Sequence, residues 1–227
     1  MSDINTETSL IAPVPLLEAQ NISHEFDYKL FSNINLSLHE KQTIAIIGTS
    51  GSGKSTFLNI LSSLLKPNSG NVRYDNSDLY AIKKRELLNI RREDFGIIFQ
   101  AHYLFRGFSA QENLNIATLL SSNNVDEGLL KALKIDFVMK QDVGELSGGQ
   151  QQRLSIARVM TKHPKIIFAD EPTGNLDKQT ANEVMNILFD YVHENDAGMI
   201  LVTHEDELAM QCDKVYKLVD QQLQEIK

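Results

Sequence analysis

The stretch Gly48-Thr49-Ser50-Gly51-Ser52-Gly53-Lys54-Ser55 fits the pattern GxxxxGK[ST]. It follows a short apolar run, Ile44-Ala45-Ile46-Ile47, and opens a segment with helical periodicity. A buried strand, a glycine-rich turn and a helix in that order form a phosphate-binding loop, and few folds accommodate it. The glycines let backbone N–H groups turn inward around an anion without Cβ clashes. The helix N-terminus adds unsatisfied donors and partial positive charge. Lys54 is placed to reach the outer phosphates and the Ser55 hydroxyl to ligate Mg²⁺. Residues Gly48, Thr49, Ser50, Gly51, Ser52, Gly53, Lys54, Ser55 and Thr56 are therefore the candidate phosphate contacts.

A phosphate loop needs an acidic strand end beside it. Asp170 closes the apolar run Ile166-Ile167-Phe168-Ala169, at the carboxyl end of a strand, where open α/β sheets bind ligands. It is the expected carboxylate of the metal shell, and Glu171 next to it can orient or deprotonate a water. Taken alone, Asp170-Glu171 would more often be a solvated acidic pair ending a strand; beside a phosphate loop the metal-site reading is favoured.

Ile97-Ile98-Phe99 and Ile200-Leu201-Val202 are further continuous apolar runs of the kind found in parallel strands covered on both faces. Helical spacing separates the runs: Phe57, Leu58, Leu61, Leu64 and Leu65 before Pro67, then Val184, Ile187, Leu188, Tyr191 and Val192. Strands alternating with helices predict an α/β protein with a mainly parallel sheet. From Leu16, and through Ile34, Leu36 and Leu38, the alternating pattern predicts half-buried strands, an antiparallel β subdomain. Residues 100–163 hold no convincing buried strand and read as a helical insertion. Residues 1–15 read as a flexible tail, leaving 16–227 as one domain.

The chain has 227 residues, 42% hydrophobic and 23% charged, which suits a packed globular core rather than disorder. Its net charge of −8 lacks the basic footprint of a nucleic-acid binder, so no nucleic-acid partner is expected. No segment reaches the ~18 apolar residues of a membrane span, and the start has no basic n-region. The expectation is a soluble cytoplasmic chain that another polypeptide must hold at any membrane it serves. The single cysteine, Cys212, agrees with a reducing compartment, and its simplest role is a small buried hydrophobe.

Leu146-Ser147-Gly148-Gly149-Gln150 precedes a helical stretch running to about Lys162. Ser147 and Gln150 have capping-box spacing, so the segment is at least a well-capped helix start. Two glycines there also make a second anion-binding corner. A chain with two such corners and one lysine-bearing loop suggests that the second serves another molecule's nucleotide.

With these motifs in order the chain resembles an ATP-binding-cassette ATPase, the nucleotide-binding subunit of an ABC transporter, from about Leu16 to Lys227. Residues 48–55 match the Walker A loop, Gln100 the Q-loop glutamine, 146–150 the signature and 166–171 the Walker B strand with its catalytic glutamate. Asn175-Leu176-Asp177 matches the D-loop and His204 the switch histidine. The resemblance implies a homodimer docked head to tail, each ATP lying between one Walker A loop and the partner's Ser147, Gly148, Gly149 and Gln150. It implies catalytic roles for Glu171, His204, Gln100 and Lys54. It implies Mg²⁺ held by Ser55, Gln100 and Asp170, and Asp177 reporting across the interface. Adenine would stack on an aromatic upstream of Walker A, with Phe26 the best-aligned candidate and Tyr28 the second. Phe26 is otherwise an edge-strand core residue.

Asp170-Glu171-Pro172-Thr173-Gly174-Asn175-Leu176-Asp177 is similar to the lipoprotein-release, macrolide-export, division-protein and bacitracin-resistance branch. That implies integral-membrane permease subunits as partners and a peripheral place on the cytoplasmic face of the inner membrane. Tyr103, Leu104, Phe105 and Phe108 would form the groove for a permease coupling helix, or simply pack the insertion against the sheet. The chain departs from its relatives at Val143, often proline, and at Asp220-Gln221, usually Asp-Gly. The basic run Lys83-Lys84-Arg85 with Arg91-Arg92 reads as a solvated helix face. Two other classes remain to be weighed. A soluble cassette acting on DNA or ribosomes is disfavoured by the acidic balance. A nucleotide kinase sharing only the phosphate loop is disfavoured by the signature and the Asp170-Glu171 pair.

Overall fold

The computed structural model describes residues 14–227. The expected tail, 1–15, lies outside them apart from Val14 and Pro15.

Strands β1 (Leu17–Glu25) and β2 (Lys29–Leu38) form a hairpin leading into β3 (Thr43–Ile47), the phosphate loop and α1 (Lys54–Leu61). Then come β4 (Ser69–Tyr74), β5 (Ser77–Asp78), α2 (Lys84–Glu93) and β6 (Phe95–Ile98). Residues 100–163 hold α3 (Ala110–Ser121), α4 (Glu127–Ala132), two single 3-10 turns and α5 (Gly148–Met160). β7 (Ile166–Asp170), α6 (Lys178–Glu194), β8 (Gly198–Val202), α7 (Asp206–Ala209), β9 (Lys214–Val219) and β10 (Gln222–Glu225) complete the chain.

The strands make two sheets. One is antiparallel, in the order β2-β1-β4-β5. The other runs β10-β9-β3-β8-β7-β6, parallel except for the β10 edge. Alternation along the parallel strands divides the interior in two. Ile44, Ile46, Ile166, Phe168, Ile200 and Val202 face a core shared with α1 and the antiparallel sheet. Ala45, Ile47, Ile167, Ala169, Met199 and Leu201 face a second core, shared with α5, α6 and the 100–163 helices. A strand buried on both faces leaves its loops at the sheet's end as the place for polar chemistry.

Several boundaries differ from the expectation, each for a local reason. α1 stops at Leu61, not near Leu65, because Ser63 turns left-handed at φ 64°, which leaves Leu64 exposed. Arg91 fixes that end: its guanidinium donates to the Ser63 hydroxyl (2.9 Å) and to the Ser63 carbonyl. Arg91 thus departs from the solvated face expected for α2. α5 stops at Met160; His163 is left-handed at φ 52°, before Pro164. Cys212 is buried as expected, but the helix before it is a single turn, and burial pushes its thiol up to about 12. Register shifts in the β1 pairings fit a bulge near Asn21 (φ 53°). Only glycine fits opposite, because a Cβ on Gly70 (φ 85°) would lie 2.5 Å from the Asn21 carbonyl oxygen.

The two departures from the family pattern have physical accounts. Val143 is buried and its N–H donates to Phe108 O at 3.1 Å, a bond proline would forfeit. Asp220 and Gln221 (φ 47° and 63°) make the two-residue turn joining β9 to β10. A side chain at Gln221 is held where glycine is unstrained. Gln221→Gly is expected to stabilise the fold by up to about 1 kcal/mol, raising the thermal midpoint by roughly 2 °C. Scanning calorimetry of the two chains checks this.

Candidate functional site

The loop after β3 wraps the N-terminus of α1. Gly53 caps that helix at φ 99°, and a Cβ there would stand 3.2 Å from the Phe31 ring. Lys54 is 8% exposed, and its Nζ donates to the carbonyls of Gly48 (2.8 Å) and Thr49 (3.0 Å). Among the described residues it has no carboxylate within ion-pair distance. A buried ammonium satisfied only by neutral carbonyls leaves its charge available to an anion.

Across the cleft, Ser55 Oγ donates to Asp170 Oδ1 at 3.0 Å, joining the start of α1 to the end of β7. Burial raises the Asp170 pKa; the Ser55 hydrogen bond opposes this, the charge of Glu171 adds to it, and Lys54 opposes it. Glu171 sits at φ 48°, a left-handed conformation costly for a non-glycine residue. Its N–H donates to Val202 O (2.9 Å), and Gly174 N–H donates to its carbonyl (3.2 Å). This backbone aims the carboxylate at His204, whose Nδ1 lies 2.8 Å from both Glu171 oxygens. Facing a carboxylate, Nδ1 carries the proton and donates, which raises the histidine pKa, chiefly through that bond and then through the charge of Glu171.

Lys54, Ser55, Glu171 and His204 share one cleft of about 440 Å³, lined also by Ser50, Gly51, Gly53, Thr56 and Gln100, while Asp170 joins it through its bond from Ser55. Phe26 and Tyr28, on the β1–β2 turn, stand at its wall with 60% and 64% exposure. Both aromatic candidates thus reach the cleft. Leu30 and Val202 also line it, though neither is a site candidate in the sequence; Val202 reads there only as strand, and the signal for it is its place two residues before His204. Gly48 enters through its carbonyl on Lys54. Thr49 and Ser52 line an adjoining cleft on the other side of the loop.

The signature residues lie elsewhere. None of Ser147, Gly148, Gly149 or Gln150 lines the Lys54 cleft. Ser147 caps α5, accepting from Gln150 N (3.2 Å) and donating its own N–H to Gln150 Oε1 (2.8 Å). Ser147 and Gly148 are exposed, and Gly149 packs beside Leu176 and Asn175. Asp177 caps α6, its carboxylate accepting from the Thr180 N–H (3.0 Å) and hydroxyl (2.6 Å).

Between Gln100 and α3 the chain displays three rings: Tyr103 (66% exposed), Phe105 and Phe108. The segment is firmly held nonetheless. Buried Asn113 accepts from Phe105 N (2.9 Å) and donates to the carbonyls of Phe105 and Ser109. Arg158 donates to the carbonyls of Tyr103 (2.9 Å) and His102 (3.3 Å). The three rings are thus displayed from a fixed backbone, whereas Leu104 packs against the second core, as the packing alternative expects.

The fold and the cleft together define a phosphate-loop α/β protein whose strand ends gather a lysine, a hydroxyl–carboxylate pair and a glutamate–histidine pair. The family model described as ABC transporter matches residues 31–174. The lipoprotein-releasing system ATP-binding protein LolD of Rickettsia felis is 42% identical over 214 residues, spanning 89% of this chain and 95% of that protein. The macrolide export ATP-binding/permease protein MacB 2 of Yersinia pestis bv. Antiqua is 39% identical, over 90% of this chain and 32% of that longer protein. A dimeric post-hydrolysis structure of the ATP-binding cassette MJ0796, bound to ADP and Pi, superposes with a TM-score of 0.85 at 31% identity. That match covers 93% of this chain and 98% of the other. The chain belongs to the ABC transporter family, as an ATPase domain of that family.

Proposed function

We propose that two copies of this chain close head to tail around two ATP molecules and drive the permease of a lipoprotein-releasing system. The observation that carries this reading is the separation of two half-sites. Lys54, Ser55, Glu171 and His204 share one cleft, while the glycine-flanked, exposed N-terminus of α5 lies outside it. Head-to-tail docking brings the α5 N-terminus of one copy, with Ser147, Gly148, Gly149 and Gln150, to the outer phosphate held by the other. The likeness to dimeric MJ0796 supports that arrangement.

In this reading the loop amides and Lys54 bind the phosphates, and an aromatic of the β1–β2 turn stacks on adenine, Phe26 before Tyr28. Glu171 takes a proton from the attacking water. His204 donates to Glu171 through Nδ1, which leaves Nε2 for the outer phosphate. The residues present fit Mg²⁺, since a hydroxyl and a half-buried carboxylate 3.0 Å apart are hard oxygen donors. Ser55 and Asp170 would hold the ion, with Gln100 beside them, and when bound it would neutralise charge on the transferring phosphoryl group. Asp177 would face the partner copy.

Residues 100–163 would act as one helical body presenting Tyr103, Phe105 and Phe108 to the permease, with Leu104 packed behind them against the second core. Among the described residues no helix is long and apolar enough to cross a membrane, so membrane attachment falls to those permease subunits. The place proposed is the cytoplasmic face of the inner membrane. The LolD likeness along nearly the whole chain supports the lipoprotein-release branch.

Lys54→Ala tests the site. Loss of one charge-assisted phosphate contact is expected to weaken ATP binding by about ten- to a hundredfold, measured by isothermal titration. Unchanged affinity would place the nucleotide elsewhere. The chain is expected to co-purify with a membrane permease and to lose that complex when the Tyr103 and Phe105 rings are removed; retention of the complex would argue against the docking surface.

A further inference from the structure

Beneath Phe26 lies His24, on β1, paired in register with Phe31 on β2. It is 6% exposed, and neither Nδ1 nor Nε2 has a hydrogen-bond partner. A buried imidazole without partners is unfavourable, and such a group in a native fold calls for a reason. The contacts it does make are aromatic. The His24 ring meets Phe26 edge-on, centroids 4.8 Å apart at 86°, and lies 6.4 Å from Phe31. Phe31 in turn packs on Phe57 of α1 at 5.5 Å and against Gly53. Four rings thus run from the cleft's mouth to the base of the phosphate loop, and Phe26 is the exposed outer member.

An exposed phenylalanine on a turn samples several rotamers, and ordering it on binding costs free energy. Among the described residues, no aromatic ring other than His24 pairs with Phe26, and none pairs with Tyr28. We propose that His24 is a positioning residue for base recognition: it holds the Phe26 ring in place as a preformed platform for adenine. The inference rests on the reading of Phe26 as the stacking residue. It accounts for an aromatic ring at a position where the imidazole's polar atoms find no partner, because the ring contact with Phe26 is what the site uses.

His24→Leu removes the ring and keeps an apolar side chain. ATP affinity, and KM for ATP hydrolysis, are expected to worsen by about three- to tenfold, the range of one aromatic pair contact. Binding of inorganic tripolyphosphate, which has no base, should stay within about twofold, as should kcat. His24→Phe restores the ring and should recover ATP affinity. Equal losses for ATP and tripolyphosphate would overturn the proposal, leaving His24 as mere support for Phe31 and the phosphate loop. Should the Leu chain not fold, His24→Gln set against His24→Phe makes the same comparison. Phe26→Ala separates the two layers of argument. If it leaves ATP affinity unchanged, the stacking reading itself fails. If it weakens ATP binding while ring loss at position 24 does not, the His24 inference alone is lost.

Discussion

A Glu171→Gln chain binds ATP as tightly as the native one and hydrolyses it about 10²- to 10⁴-fold more slowly. The amide has the shape of the carboxylate and keeps an acceptor for His204 Nδ1, so the left-handed backbone at φ 48° and the anchoring bond to Val202 O need not change. It cannot take a proton from water. Lys54, Ser55 and the loop amides are untouched, so the phosphates remain held. With closure allowed and hydrolysis blocked, the ATP-bound dimer accumulates, and light scattering reads this as a doubling of mass. A variant that turned over at the native rate would remove Glu171 from the role of base.

The same substitution has a spectroscopic signature. The Glu171 hydrogen bond and charge raise the His204 pKa above 6.5. With the folded value raised, the charged pair is complete below pH ~6.5 and dissolves as pH climbs through the raised value. Loss of the charge in Glu171→Gln moves the His204 titration to lower pH, which proton NMR of the imidazole follows. Because His204 is largely exposed, the effect belongs to the site's charge state more than to global stability.

How much of this could be read without coordinates depends on the range of the signal. Lys54, Ser55 and Asp170 were legible because short motifs at strand ends fix their own surroundings, and the sheet then brings β3 and β7 to the same edge. The capping box at Ser147 was legible for the same local reason. The early stop of α1 was not, since apolar spacing continues through Leu64 and Leu65 while the left-handed turn at Ser63 depends on Arg91, 28 residues away. The pairing of β1 with both β2 and β4, and the bulge that demands Gly70, arise from cross-strand contacts with no motif. The sequence ranks Phe26 before Tyr28 by alignment alone, and both reach the cleft; the structural difference between them is that the His24 ring pairs with Phe26 and not with Tyr28. What the signature would meet is not legible in one copy, where Ser147 and Gly148 stand exposed.

That exposure gives Ser147→Arg a large effect on turnover and little on binding. Ser147→Ala removes only the cap on α5, about 1 kcal/mol of helix stability. Arginine adds a long cation at the surface where the partner's triphosphate is to dock. ATP titrated into separate subunits should bind with unchanged affinity, because the Lys54 cleft contains no signature residue. Hydrolysis should fall at least about 10²-fold, the scale of losing a preorganised donor to the transferring group. Mixing decides between a cross-subunit site and a damaged fold. A Ser147→Arg chain keeps Lys54, and a Lys54→Ala chain keeps Ser147. Paired head to tail they rebuild one intact site of two, so an equal mixture of two inactive chains should recover about a quarter of the native rate by random pairing. A mixture as dead as its components, with both chains folded and dimeric, would mean that each copy completes its own site, and the separation of Lys54 from Ser147 would then need another explanation.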